Sequence, residues 1–498
     1  MKVISLAGMA VAALLTIAGP AGANEGPLGT VSSTAEDARV LHLLNRAAFG
    51  PSTELIEEVH RIGRGAWVGQ QLLPSGISDP DLDAKLSIYP ALPMTNSELL
   101  ANYPNQNGND EPMGIGPPGR VPVEVASANL TRAVHGKAQL QEVMTDFWFN
   151  HFNVAAQDGP IRLAVVSYVR DAIRPNALGY FEDMLRATAE SAAMLYYLDN
   201  YLSAAPGTRG RNSGINENYA RELMELHTLG VDGGYTQEDI IEIARAFTGW
   251  TFTAARTGTV GFTFLPRIHD PGPKRVLGTT IPSGNQSEGL QVLHMLATHP
   301  STAEFLSRKI LQRLVAENPP QELVDRTAAV FLATGGHIGW TVASVILSDE
   351  FYDPAYRANK AKTPLELVAS ALRATGADVT LGVAATRMVG DLGQPMLRAS
   401  PPTGWPEVGA EILSPGGMVT RFEFGFLAAA NRLEGARVDA ALWEPILQIW
   451  GTDGLAQYLL GQLPSDGTRK ALEDAAAAGA DPSLLVAMVL GSPEFQLQ

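Results

Sequence analysis

Three stretches of the chain carry residue types that could do chemistry. The densest runs from Asn216 to His227 and reads Asn-Glu-Asn-Tyr-Ala-Arg-Glu-Leu-Met-Glu-Leu-His. At about 100° per residue it sets Asn218, Arg221, Glu222 and Glu225 on one helix face, and Tyr219, Leu223 and Leu226 on another. Glu222 or Glu225 could serve as a general acid/base or as a ligand for a divalent metal. Two carboxylates one turn apart also raise each other's pKa when buried. His227 lies about 140° round the helix from Glu222, so the two cannot hold one ion without help from another segment. The same residues support a purely structural reading. Glu217, Arg221 and Glu225 have ion-pair spacing, and His227 in the last turn suits the helix dipole.

The second stretch, Asp146-Phe147-Trp148-Phe149-Asn150-His151-Phe152, puts His151 on an apolar stripe with Met144, Phe147 and Trp148. It is either a satisfied core histidine or a base or ligand whose other ring nitrogen a neighbour holds. The third, Arg267 to Lys274, is a loop by its prolines and glycine. There Asp270 could orient His269, although Asp-Pro-Gly is also an ordinary turn. The expected site therefore gathers His151, Glu222, Glu225, His227 and His269 in a cleft between helices, with or without a divalent metal. His42, His60, His135, His294, His299 and His337 show no metal spacing. Lys309 reads as an anion contact or a solvated helix face. Trp250 and Trp405, both beside turns, could stack on sugar rings or pack in a core.

The elements that must position these groups are helical. Apolar spacing of i, i+3, i+4 begins at Ala35 and runs through Val40, Leu43 and Leu44. It predicts helices over 53–73, 122–135, 138–152, 160–173, 179–199, 216–229 and 237–249. Thr236 to Asp239 resembles a capping box for the last of these. Residues 250–282 change to Thr, Phe and Val among glycines, which predicts one or two hairpins. Helices return at 287–298, 302–315, 320–334, 338–350, 363–376 and 383–390, and after the rigid Pro401–Pro406 turn at 416–432, 440–450, 454–462, 467–478 and 482–490. Residues 103–121 and 203–215 read as loops. The short connections favour one mainly α domain over 35–498, a large helical array with a small β insertion.

Composition narrows the function classes. The chain has 498 residues, a net charge of −16 and no cysteine. The acidity argues against a nucleic-acid or anionic-lipid partner. The missing cysteines remove disulfides, thiolate nucleophiles and Cys-ligated metals. Met1-Lys2, the apolar run 3–18 and Ala21-Gly22-Ala23 predict a signal peptide cleaved after Ala23 and a short flexible lead over 24–34. The mature chain is expected in the periplasm or outside the cell, free of the membrane. No G-x-S-x-G, Walker loop, H-E-x-x-H or G-x-G-x-x-G after a strand occurs.

Three segments stand out together: His42-Leu-Leu-Asn-Arg-Ala-Ala-Phe-Gly50, Phe147-Trp-Phe-Asn-His-Phe152 and Asn218-Tyr-Ala-Arg-Glu-Leu-Met-Glu-Leu-His-Thr-Leu-Gly230. With them go Gly234-Tyr-Thr-Gln237, Ala244-Arg-Ala-Phe-Thr-Gly-Trp250, His269-Asp-Pro-Gly, Gly393-Gln-Pro395 and Gly404-Trp405-Pro406. Through these segments the chain resembles domain-of-unknown-function family 1800 over about residues 35–490. The resemblance implies an exported, mainly helical unit, often encoded beside an exported protein of the sulfatase or alkaline-phosphatase type, and brings no settled activity. Phe149 departs from the polar residue or His of many relatives, which counts against a metal site around His151. Two functions stay open. One is an exported hydrolase of polysaccharide or a related polymer. The other is a binding or assembly partner of another exported protein, with no chemistry of its own.

Overall fold

The computed structural model describes residues 35–103, 117–209, 214–253 and 261–498. The signal peptide and lead expected over 1–34 lie outside the described residues, as does most of the 103–121 loop. The architecture is mainly α, with three two-stranded antiparallel sheets among the described residues. Trp250–Phe252 pairs with Phe262–Phe264, and Lys274–Val276 pairs with Thr279–Ile281, the two hairpins of the expected β insertion. A third pair, Asp378–Val379 with Ala436–Arg437, has no periodic signal in its two-residue strands.

Local chemistry sets the helix ends. The capping box at Thr236 forms: the Thr236 hydroxyl accepts from the Asp239 N–H, and the Asp239 carboxylate accepts from the Thr236 N–H. The span 53–73 is two helices, Thr53–Ile62 and Arg64–Gln71, because Gly63 sits at φ 86° between them. The span 179–199 likewise divides into Phe181–Ala189 and Ala192–Tyr197, where the Ser191 side chain accepts from Ala193 N–H and starts a new helix. Glu217–Glu225 stops before Gly230, since the Thr228 hydroxyl takes the Leu223 carbonyl and Gly230 N–H reaches back to Met224 O. The two helices expected over 440–462 form within Trp443–Leu460, separated at Gly451, whose backbone is non-helical at φ 66°.

Two buried apolar clusters result. The larger centres on Trp148, Phe152, Phe181, Trp250 and Phe331. The second centres on Leu372, Phe424, Trp443, Leu455 and Val486 near the C-terminus. The helices Pro117–His135 and Gln139–His151 serve both, with Val125 and Met144 in the first and Leu130 and Val143 in the second. A polar seam therefore runs where the two apolar bodies meet along the Gln139–His151 helix.

Candidate functional site

The seam is built by two helices. Gln139–His151 faces Pro300–Leu314. Asp146 meets Arg313 at 2.9 Å, and His151 Nδ1 meets Lys309 Nζ at 3.0 Å. Arg313 also reaches Glu366 at 3.2 Å and Glu407 at 3.1 Å, so one buried guanidinium holds three carboxylates. The loop carrying Glu407 is strapped onto the first helix. Asn150 donates to Trp405 O at 2.8 Å and accepts from Trp405 N–H at 2.7 Å. Asn153 donates to Ala399 O and Pro401 O, Gln394 donates to Pro406 O, and the Trp405 indole donates to Pro395 O. Each of these hydrogen bonds has a backbone group at one end.

The strap explains a glycine. Gly404 sits at φ 75°, and a Cβ there would lie 2.3 Å from Asn150 Oδ1. Gly404→Ala should therefore lower stability by about 1–3 kcal/mol, through strain and overpacking. Urea unfolding should show a reduced midpoint, and Trp405 fluorescence should report a loosened loop.

Between helix and loop opens a small cleft of about 70 Å³. Asp146, Glu407, Trp405, Asn150, Asn129 and Gln394 are among its walls. Asp146 is surrounded by protein, yet 32% of its side-chain surface remains open to water. Burial pushes its carboxyl up to about 6, with Arg313 pulling against this and Glu407 and Glu366 adding to it. For Glu366, burial also acts upward, but Arg313, Lys360 and the Thr363 N–H outweigh it and hold the carboxyl down at about 2. Two acids on one guanidinium are thus driven apart, the pattern by which a site separates a proton donor from a fixed charge. Glu366 has its lowered pKa only in the folded chain. Its stabilising contribution is present above the unfolded value near 4.5 and is lost as pH falls toward 2. Glu366→Gln should therefore flatten the decline of unfolding free energy between pH 4.5 and 2.

Two of the five residues expected to converge do so. His151 and His227 are both buried, their rings 6.1 Å apart in a box with Trp148, Phe152 and Phe305. An ammonium can only donate, so His151 Nδ1 accepts from Lys309, and His151 Nε2 carries the proton given to His227 O at 3.1 Å. Burial first, then Lys309, drives the pKa of both imidazoles far down, His227 to about 3. Both rings are neutral at ordinary pH. Lys309 itself is lowered by burial, with Glu407 acting against this.

Glu222 and Glu225 stay on the outer face of their helix. Arg221 pairs with Glu217 at 3.8 Å and Glu225 at 3.4 Å, the ion-pair ladder of the spacing argument. Glu222 is half-buried, and burial and then Glu225 raise its carboxyl. No side-chain hydrogen bond or ion pair among the described residues joins Glu222 or Glu225 to His151, His227 or His269. His269 belongs to another cluster. Its Nδ1 lies 2.9 Å from Thr248 O and its Nε2 3.2 Å from Glu288, which also pairs with Lys274. Arg245 grips Asp270 in a bidentate pair and Glu242 at 2.6 Å. That cluster ties the Gln237–Ala246 helix to the second hairpin and to the Gln286–Ala297 helix, with His269, Lys274 and Glu288 sealed from water. Among the described residues no group of three or more His, Asp or Glu is placed to hold a metal ion.

The cleft residues were missed because each looks ordinary alone. Asp146 and Arg313 are 167 positions apart, and Arg313 and Glu407 are 94 apart. The usable signals were Trp405 in its rigid turn and the Asp146 to Phe152 stretch, which carries Asp146, Asn150 and His151 on the seam.

No curated protein and no solved structure matches the chain. The family described as protein of unknown function DUF1800 matches over residues 42–497. That span holds the second apolar cluster, all of the first but Val40, the strapped loop and the cleft, and the chain belongs to the DUF1800 family.

Proposed function

We infer that the chain is an exported hydrolase that cleaves glycosidic bonds of a polysaccharide or related polymer in the cleft, with Asp146 as the proton donor. The observation that carries this reading is the split between Asp146 at about 6 and Glu366 at about 2 on one guanidinium, with only Asp146 facing the cleft. A protonated carboxyl near neutral pH suits a general acid for a leaving alcohol. In this scheme Asp146 gives its proton to the glycosidic oxygen as that bond to carbon breaks. Glu407 takes a proton from the water whose oxygen bonds to the sugar carbon. Arg313 orients both acids. Trp405 offers an aromatic face for a sugar, and Asn150, Asn129 and Gln394 offer amide groups of the kind that bind hydroxyls.

The test is release of reducing ends from a panel of neutral and acidic polysaccharides by the mature chain, beside Asp146→Asn. Turnover with loss in the variant supports the reading. Turnover that Asp146→Asn leaves unchanged refutes it. Activity should also fall as pH rises above about 6, where the donor loses its proton.

A second reading, a binding or assembly partner of a co-encoded exported protein, is favoured by one surface. Val419, Phe422 and Phe426 are exposed at one-face spacing on the Pro415–Ala429 helix, at 67%, 53% and 40%. An apolar stripe of this kind marks contact surfaces. Val419→Asp with Phe426→Asp should abolish co-purification with the neighbouring protein and leave reducing-end release intact.

A further inference from the structure

One turn before Arg313, the helix Pro300–Leu314 carries Lys309. Lys309 differs from the other described lysines. Lys85, Lys137, Lys274 and Lys470 each pair with a carboxylate. Lys360 donates to Gln312 O and Arg313 O at 2.7 and 3.0 Å, and Lys362 rests on the Phe495 ring. Both of these are sealed from water, at 3% and 4% exposure. Lys309 is partly exposed, and its hydrogen bond goes to His151 Nδ1 at 3.0 Å. Among the described residues no carboxylate stands within 4.0 Å of its nitrogen.

That partner suits an amine better than an ammonium. A lysine ammonium is strongly hydrated and carries three protons that seek charged or carbonyl oxygens. The imidazole offers one lone pair. Its tautomer is fixed, because His151 Nε2–H is given to His227 O at 3.1 Å and Nδ1 is left bare toward the lysine. The surrounding groups supply no counter-charge at contact. His151 and His227 are neutral, Glu407 acts from beyond ion-pair distance, and Arg313 is taken by three carboxylates. Phe305 presents its ring 5.6 Å from Lys309 Nζ. Burial pushes the ammonium down, with Glu407 pulling the other way. A lysine desolvated against an aromatic wall, beside a base, is the setting in which the amine becomes a nucleophile.

The same surroundings choose the electrophile. Carbon dioxide would leave a carbamate, a new anion beside Glu407, with Arg313 already occupied. An acyl donor would expel an anion that needs the same missing cation. An aldehyde adds no negative charge and releases only water. Since only part of the side chain reaches solvent and Phe305 stands beside the nitrogen, the aldehyde that fits is small and apolar.

We propose that Lys309 is a nucleophilic amine that forms an imine with a small apolar aldehyde, with His151 Nδ1 as the base beside it. The Nζ lone pair bonds to the carbonyl carbon as the C=O π pair moves onto oxygen. Nζ passes one proton to His151 Nδ1, which returns it to that oxygen. The hydroxyl then leaves as water with the second nitrogen proton, carried by the same route, and the C=N bond closes. No oxidant or reductant takes part, and the step is independent of the cleft chemistry.

Reductive trapping tests it on the whole mature chain. Propanal with cyanoborohydride, which reduces the imine to a stable propylamine, is applied across pH 7 to 10, and peptide mass spectrometry reads each lysine. At pH 7 Lys309 should be propylated at least about tenfold faster than the exposed Lys137 and Lys470, the gain in free amine when an ammonium loses its proton one pH unit sooner. That lead should shrink toward pH 10, where ordinary lysines also lose their protons. His151→Gln keeps an acceptor but removes the base, and should slow Lys309 by about a hundredfold while Lys137 and Lys470 react as before. Should that variant fail to fold, the pH profile of the parent decides alone. Propylation of Lys309 no faster than of Lys137 and Lys470 at pH 7, or an unchanged Lys309 rate in folded His151→Gln, would overturn the assignment.

Discussion

Arg313→Met is expected to lower folding stability by about 3–5 kcal/mol. The guanidinium is 3% exposed and holds Asp146, Glu366 and Glu407 at 2.9, 3.2 and 3.1 Å. Burial acts to lower its pKa, but the three acids outweigh this and hold the charge firmly in place. Methionine fills a similar volume, so the loss is electrostatic rather than a cavity. It leaves buried carboxylates without their cation, and the penalty for one partner removed is much larger than the net worth of the pair. Glu366 suffers most, since Arg313 is the largest influence holding it near 2 against burial. Urea unfolding at pH 7 measures the effect. A loss below about 1 kcal/mol would mean that water, and not Arg313, satisfies these acids, and the cleft would lose its electrostatic rationale.

Asp146→Asn separates chemistry from folding. A general acid contributes about 10²–10⁴ in rate, so reducing-end release should fall by that factor. Stability should move the other way. The native pKa of Asp146 lies above its unfolded value, so the native state binds its proton more tightly. The stabilising contribution is complete below the unfolded value near 3.8 and is lost as pH rises through about 6. Asparagine is uncharged at every pH and keeps an acceptor for Arg313, so above pH 6 the variant should be no less stable than the parent. A protein that loses activity and keeps or gains stability has been relieved of a functional strain. One that loses both has lost a structural ion pair, which would favour the non-enzymatic reading.

The architecture was legible where burial repeats at a short period. The stripe Met144, Phe147, Trp148 and His151 is a helix face in the structure, and the Phe and Thr run after Trp250 forms strands. Helix ends were legible where one side chain decides them, as at Thr236, and missed where a glycine conformation or a hydroxyl ends the ladder, as at Gly63 and Thr228. The ladder Glu217, Arg221 and Glu225 was legible because its partners share one helix. The cleft was not, because its charges come from a helix, a second helix and a loop, and no local pattern distinguishes Arg313 from a solvated arginine. His269 shows the converse. Its neighbour Asp270 suggested an oriented imidazole, whereas the structure turns Asp270 onto Arg245 and gives His269 to Glu288 and Thr248.

Direct titration of the Asp146 carboxyl tests the central claim without knowledge of the substrate. Carbon-13 carboxyl resonances or isotope-edited infrared bands of the parent chain, less those of Asp146→Asn, isolate this one group. The account predicts a midpoint at about 6, with Glu366 still ionised far below it. A midpoint at or under 4 would show that Arg313 outweighs burial, leaving Asp146 a permanent anion with no proton to give at the pH where the enzyme would work.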